Sequence, residues 1–495
     1  MFNRETEFAW NYHNLTKHSP ESVRRNAHFL DWDNHPIPFK IYPGLNPLPL
    51  PQETTPTGIA ALSAISAAPA SSSRTLNLEV LTYLLYFSAG ITKRRQFPGR
   101  EILFRAAACT GALYEIELYL VCGPLVDLAA GVYHCGPGDL ALRRLRVGDF
   151  RGVLGTGAPA ALVATGVYWR NAWKYQARTY RHFGWDNGTI HANLLAGTAA
   201  LGLEARLRCG FVDSDVNHLL ALDTDREVAL TILELGPPAP PPRLLEAPSL
   251  QFEVVPYSDE EVDYPAMREI HQASSLVSSG EVLAWGGEAS PAPPPPTTRE
   301  VVPLQPLADS EIPRDTIEEV ILRRGSTRRF ARDPMTFAQL STILDRATRG
   351  IPADFGTGLN DLYLIANAVE GLASGAYFYR SADRSLETLK LGDYRRQAAF
   401  LGLDQDLSGD AAAAVFFLAD LSRVLGRSGN RGYRAVNLEA GLVGGKVYLG
   451  AYTQRLGATG LTFYDNDVVD FFSPHAARRS AVFLVALGHA IKGRS

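Results

Sequence analysis

Four arginines, Arg323, Arg324, Arg328 and Arg329, surround the turn Gly325-Ser326-Thr327. Guanidinium groups beside a turn with free backbone amides suit one small anion such as a phosphate, held by charge-assisted and bidentate hydrogen bonds. Upstream, Thr316 and Glu319 stand at the spacing of a capping box, so a helix is predicted to start there, and Gly325 can take the left-handed backbone that stops one. Arg324, Gly325, Ser326 and Arg328 are therefore candidate anion ligands. A second stretch, Ala106–Ala112, is built of small residues that let a backbone lie close against a flat ligand.

The rest of the chain narrows the chemistry. A net charge of −4 gives no general attraction to nucleic acid or an anionic membrane, so the arginine cluster is a local feature. Cys109, Cys122, Cys135 and Cys209 form no CxxC pair, and neither a metal site nor a disulfide framework is suggested. No apolar run approaches the ~20 residues of a membrane span, and the N-terminus lacks the apolar core of a signal peptide. A cytoplasmic protein is expected. Hydrophobic residues at 46% and charged residues at 20% match a globular enzyme, and 495 residues require more than one core.

These residues must be positioned by elements that occur twice. Residues 118–151 reappear as 362–395 at a constant offset of 244, pairing Tyr119 with Tyr363 and Gly148-Asp149 with Gly392-Asp393. Later, 178–188 answers 431–441 and 211–216 answers 463–468. Such self-similarity implies duplication. Strands are predicted at "ALYEIELYLV", "DLYLIA", "APAALVAT" and "AAAAVFFLA", and a helix is predicted to begin near Asp186–Gly188. Proline runs at 236–248 and 289–298 bracket a connector, within which "AMREIHQASSL" reads as a short helix or a loose tether. The expected organisation is an extension over 1–55, one half over 56–236, a connector over 237–313 and a second half over 314–495. The fold class is α+β, with a two-fold dimer interface surviving inside one chain as a pseudo-two-fold.

The copies differ where the chemistry lies. Ile91 and Tyr119 are 28 residues apart, whereas their counterparts Ile351 and Tyr363 are 12 apart, so the second copy lacks sixteen residues around the small-residue loop. The first copy lacks the arginine turn: no lysine or arginine occurs between Lys40 and Arg74. One composite site, with the arginine turn from one copy and the loop from the other, is the expectation.

At these residues the chain resembles the nitroreductase superfamily of flavoproteins. Arg324-Gly325-Ser326-Thr327-Arg328-Arg329-Phe330 is similar to the family signature that holds the FMN phosphate, with glycine at the second basic position. Ala108-Cys109-Thr110-Gly111-Ala112-Leu113-Tyr114-Glu115 is similar to the family loop that lies on the flavin of the other subunit, with Glu115 in place of proline. Glu439-Ala440-Gly441 matches a turn at the flavin N5 edge, where the first copy has Asp186-Asn187-Gly188. The N-terminal segment and "KYQARTYR" resemble the SagB-type branch, FMN dehydrogenases that oxidise peptide azolines, whose Lys-Tyr pair falls on Lys174-Tyr175.

The resemblance implies an FMN-dependent oxidoreductase with one flavin per chain, in which Lys174 and Tyr175 handle the carbon-bound proton that leaves as hydride passes to the flavin. Cys109 is read as packing rather than as a nucleophile. Glu115 either places a carboxylate near the ring or faces solvent, and Lys492 is a weak C-terminal phosphate partner. The substrate is a small molecule or peptide, and further homo-oligomerisation is open. Two alternatives stand beside azoline oxidation: NAD(P)H-dependent reduction of nitro compounds or quinones, and a flavin-binding or partner subunit without turnover.

Overall fold

The computed structural model describes residues 2–25, 28–67, 74–97, 100–285 and 297–491. In the first repeat the strands are β1 (Pro47–Pro49), β2 (Ile91–Phe97), β3 (Arg100–Arg105), β4 (Ile116–Cys122), β5 (Gly131–Gly136), β6 (Ala141–Val147), β7 (Ala160–Val167), β8 (Ala205–Arg208) and β9 (Glu227–Leu235). The second repeat has β10 (Val301–Pro303), β11 (Met335–Thr336), β12 (Asp361–Ala366), β13 (Val369–Glu370), β14 (Gly375–Arg380), β15 (Ser385–Leu391), β16 (Ala413–Ala419), β17 (Gly457–Leu461) and β18 (Ser480–Gly488).

Two seven-stranded sheets result, ordered β1-β6-β5-β4-β7-β9-β8 and β10-β15-β14-β12-β16-β18-β17. Strand for strand these are one topology, and every predicted strand is present. The central strands β4, β7 and β16 are buried throughout, which is why they read as apolar runs rather than alternating ones. The fold is the expected α+β arrangement of two similarly built halves.

The halves meet through their long helices, Thr179–Ala200 and Arg431–Thr453. The first begins seven residues before Asp186, so the helix start predicted at Asp186–Gly188 is corrected. Glycine is a poor helix former, but here it permits backbone contact. A Cβ on Gly188 would lie 2.4 Å from Leu442 N, and one on its counterpart Gly441 would lie 2.3 Å from Trp185 O. Tertiary packing overrides propensity at this crossing.

Reciprocal polar contacts flank the crossing. Arg178 and Arg181 reach across to Asp465 (3.1 and 2.7 Å), and their counterparts Arg431 and Arg434 reach back to Asp213 (2.5 and 2.8 Å). His13 Nδ1 lies 3.2 Å from Tyr433 Oη, and His271 Nδ1 lies 3.2 Å from Tyr180 Oη. Backbone pairing of Ala60 with Thr316 adds a third exchange.

His13 and His271 belong to the helices Glu7–Leu15 and Pro265–Ala273, one from the extension and one from the connector. Likewise β1 and β10 close equivalent sheet edges against β6 and β15. Of the two readings of the connector segment the short helix is present, and Pro265–Ala273 and Val301–Pro303 take the places in the second repeat that Glu7–Leu15 and Pro47–Pro49 take in the first. Sequence similarity between these parts is too slight to reveal it. The proline-rich residues 286–296, the first-copy stretch 68–73, residues 98–99 and Lys492 lie outside the described residues. Among the described residues no helix is long and apolar enough to cross a membrane.

Candidate functional site

The arginine turn follows the helix Ile317–Arg323, whose Thr316–Glu319 capping box is present as predicted. The helix ends differently from expectation. Arg324 swings to extended backbone (φ −52°, ψ 143°), and Gly325 is not among the residues with positive φ. The cause is the Arg324 side chain, which is buried and donates from Nε to Ala106 O (2.9 Å) and from Nη2 to Arg105 O (3.1 Å). Lys93 Nζ returns the contact to the carbonyls of Arg323 (3.1 Å) and Arg324 (2.5 Å). Lys93 and Arg105 lie on β2 and β3, the hairpin formed by the insertion unique to the first repeat. Arginine turn and insertion are thus clamped together across the two repeats. Beyond the clamp Thr327 N donates to Ala458 O (2.9 Å), Ser326 is half-buried and Arg328 is exposed.

The hairpin leads into the loop Ala106–Tyr114. Three of its residues have left-handed backbone, Gly111 (φ 67°), Ala112 (φ 56°) and Tyr114 (φ 54°). For the two non-glycines this costs of order 1 kcal/mol each and persists only where the surroundings enforce it. Enforcement comes from Asp186, which accepts from Thr110 N (2.8 Å), Thr110 Oγ1 (2.9 Å) and Cys109 Sγ (3.3 Å). Thr189 Oγ1 donates to Ala108 O (2.6 Å), and Arg170 Nη1 to Tyr114 O (2.8 Å). Arg170 is itself fixed by Glu117 (2.5 Å), which His134 Nε2 contacts at 2.8 Å, all three fully buried. Sequence reasoning missed this support, whose members are scattered from Glu117 to Thr189 without a shared spacing.

Lys174 and Tyr175 end the helix Tyr168–Tyr175 over this loop. A Cβ on Gly111 would lie 3.1 Å from Tyr175 Cε2 and Oη, and Lys174 Nζ stands 5.3 Å from the Tyr175 ring centroid. Partial burial lowers the Lys174 pKa, and Arg328 of the other repeat lowers it further. Burial raises that of Tyr175, with Asp186, Cys109 and Glu115 adding to the rise. The structure therefore brings Arg328, Lys174, Tyr175 and the loop Ala108–Leu113 into one neighbourhood drawn from both repeats.

Two expectations are corrected. Glu439-Ala440-Gly441 is not a turn but the middle of the helix Arg431–Thr453. Glu439 accepts from Gly358 N (2.6 Å), Asn360 N (2.8 Å) and Asn360 Nδ2 (2.9 Å), anchoring the shortened loop of its own repeat as Asp186 anchors the longer one. Glu115 does not face solvent: its side chain is fully buried, with Oε2 3.4 Å from Cys109 Sγ.

At the pseudo-symmetric position the shortened loop is stitched to the first sheet. Leu207 N donates to Pro352 O (2.7 Å), and Asp354 accepts from Cys209 N and Gly210 N (both 2.8 Å). The composite position has a different character. Among the described residues Lys93, Lys174, Arg324 and Arg328 have no carboxylate within ion-pair distance, leaving positive charge uncompensated around the clamp. Lys93, Lys174 and Arg324, buried or half-buried without a counter-ion, favour an anionic ligand.

Residues 321–489 match the nitroreductase family. The chain is 28% identical over 161 residues to the nitroreductase-named protein MJ1384 of Methanocaldococcus jannaschii, covering 31% of this chain and 81% of that protein. It is 28% identical over 171 residues to the trifolitoxin-processing protein TfxB of Rhizobium leguminosarum bv. trifolii, covering 32% of this chain and 46% of that one. A nitroreductase-like crystal structure from Anabaena variabilis aligns over 98% of this chain and 99% of its own, with a TM-score of 0.77 at 24% identity. That alignment shows that both repeats, and not the matched 321–489 alone, share the nitroreductase-like fold.

Proposed function

We propose that this nitroreductase-like chain is an FMN-dependent oxidoreductase with one composite flavin site, and that it oxidises azolines in peptides. The observation that carries the reading is the meeting of Arg328, from one repeat, with Lys174, Tyr175 and the Ala108–Leu113 loop from the other. The uncompensated cations fit a phosphate. With Arg324 committed to two carbonyls and Thr327 N to a third, Ser326 and Arg328 would hold that phosphate, and Arg324 would contribute charge and fix the turn. The anchored backbone of Ala108, Cys109, Thr110, Gly111, Ala112 and Leu113 would lie along the ring.

Bound flavin supplies a hydride acceptor. The chain's own part is proton management and placement. Lys174, whose pKa is lowered by burial and by Arg328, is the chain's candidate for accepting a proton from carbon. Tyr175, kept protonated by burial and by the acidic groups behind it, donates a hydrogen bond and orients the substrate. TfxB is named for processing a toxin, which favours the modifying branch over reduction of nitro compounds or quinones.

The test is flavin stoichiometry and affinity. Released FMN should equal one per chain, and Arg328→Ala should weaken binding by about 1.5–3 kcal/mol, the worth of a hydrogen bond to a charged group. Two FMN per chain, or unchanged affinity in titrations of the apoprotein, would remove the composite site.

A further inference from the structure

Behind the loop lies a group of side chains to which this reading gives support of the loop and of Tyr175 but no ligand. Cys109, Glu115 and Asp186 point at one another from the loop, the start of β4 and the long helix, with one donor atom from each lying within 4.8 Å of the others. Cys109 Sγ is 3.4 Å from Glu115 Oε2 and 3.3 Å from Asp186 Oδ2. Neither carboxylate has a lysine, arginine or histidine within ion-pair distance among the described residues, and Glu115, fully buried, has an Oε1 with no hydrogen-bond partner. Buried carboxylates ordinarily meet a cation or several donors, since leaving one unpaired costs several kcal/mol.

We infer that Cys109, Glu115 and Asp186 form a site for a single divalent cation of the zinc type. Thiolate with two carboxylates is a borderline donor set that suits zinc better than magnesium or calcium, which take oxygen alone. The spacing agrees. Tetrahedral zinc with sulfur at about 2.3 Å and oxygen at about 2.0 Å requires sulfur–oxygen edges of roughly 3.5 Å, and the two edges are 3.4 and 3.3 Å. The third edge, between the two carboxylates, lies within 4.8 Å.

Three protein donors leave a fourth position. A small adjoining cavity, lined by Arg105, Ala108, Cys109, Tyr114, Asp186 and Ile190, is about the size of a single water. Binding would release the thiol proton and any proton shared by the carboxyl groups. It would also pin the strained loop to the long helix through Asp186, making loop order dependent on metal. Glu115 stands where the resembling family has proline, so the site belongs to this chain rather than to the fold.

The test uses the full-length protein, purified without immobilised-metal resin, loaded with Co²⁺ or Zn²⁺ and desalted. Elemental analysis should give one ion per chain. A difference spectrum against metal-free protein of equal flavin content should show a thiolate-to-cobalt charge-transfer band, lost in Cys109→Ser and Glu115→Gln. Zn²⁺ should also slow alkylation of Cys109, followed by peptide mapping, by more than about tenfold, because a coordinated thiolate is withdrawn from attack. That last measurement needs no variant, so it decides the matter even if the substitutions unfold the protein. Substoichiometric metal, bound cobalt without a sulfur band, or unprotected Cys109 would each overturn the inference and leave a proton shared between the two carboxyl groups as the explanation.

Discussion

Replacing Asp465 by asparagine should loosen the union of the two repeats. Asp465 is 1% exposed and accepts from Arg178 (3.1 Å), Arg181 (2.7 Å) and His18 N (2.8 Å). Three hydrogen bonds to a charged acceptor, at about 1.5–3 kcal/mol each, set a gross ceiling. The arginines keep other acceptors, Thr16 O and Oγ1 and His13 O, which lowers the loss. Removing one partner of a buried pair typically costs about 3–5 kcal/mol, the range expected here. Burial alone would raise the Asp465 pKa, but Arg178 and Arg181 outweigh it and hold the carboxyl well below its usual range. With a depressed folded pKa, the unfolded chain binds more protons in the acid window, so the stabilisation is present above about pH 4 and fades as pH falls through the folded value. Urea unfolding followed by tryptophan fluorescence should therefore show a constant gap between wild type and variant from about pH 8 to 5 that closes in strong acid. A gap below about 1 kcal/mol at neutral pH would refute the reasoning. Asp213→Asn, facing Arg431 and Arg434, should behave alike.

Other outcomes follow from the same geometry. Gly441→Ala would place a Cβ 2.3 Å from Trp185 O and 2.5 Å from its Cα, backbone that cannot yield, so thermal melts should show a loss of about 3 kcal/mol or more. Gly426→Ala, with nothing within 4 Å, is the neutral or slightly stabilising control. Lys446 is buried with Nζ donating to Arg349 O (2.6 Å), and burial lowers its pKa to about 7. The unfolded chain keeps that proton to about pH 10, so stability should rise with pH between the two values by up to about 1.4 kcal/mol per unit, a slope that Lys446→Met should remove in pH-dependent melts. Lys174→Ala should slow oxidation of a matched azoline peptide by ~10²–10⁴-fold in anaerobic single turnover while flavin stays bound; wild-type rates would end the proton-acceptor role.

The amino-acid sequence by itself determined the duplication, the α+β class, the core strands and the capped helix before the arginine turn. Apolar runs and a Thr316–Glu319 pair act through neighbours a few residues away, and such signals survive in one dimension. It also located the asymmetric loss, because a deletion shows as a change of offset. Only the tertiary structure decided what those residues do. Arg324, which reads as an anion ligand, spends two donors on carbonyls 218 and 219 residues away. Glycines that argue against a helix at Gly184 and Gly188 sit inside one, since a second backbone needs the space. Cys109, Glu115 and Asp186 carry no spacing that marks a site, and they meet because a loop, a strand and a helix converge. Such pairings are selected by packing and by the cost of unpaired buried charge, forces that depend on distance in space and leave no periodic trace along the chain.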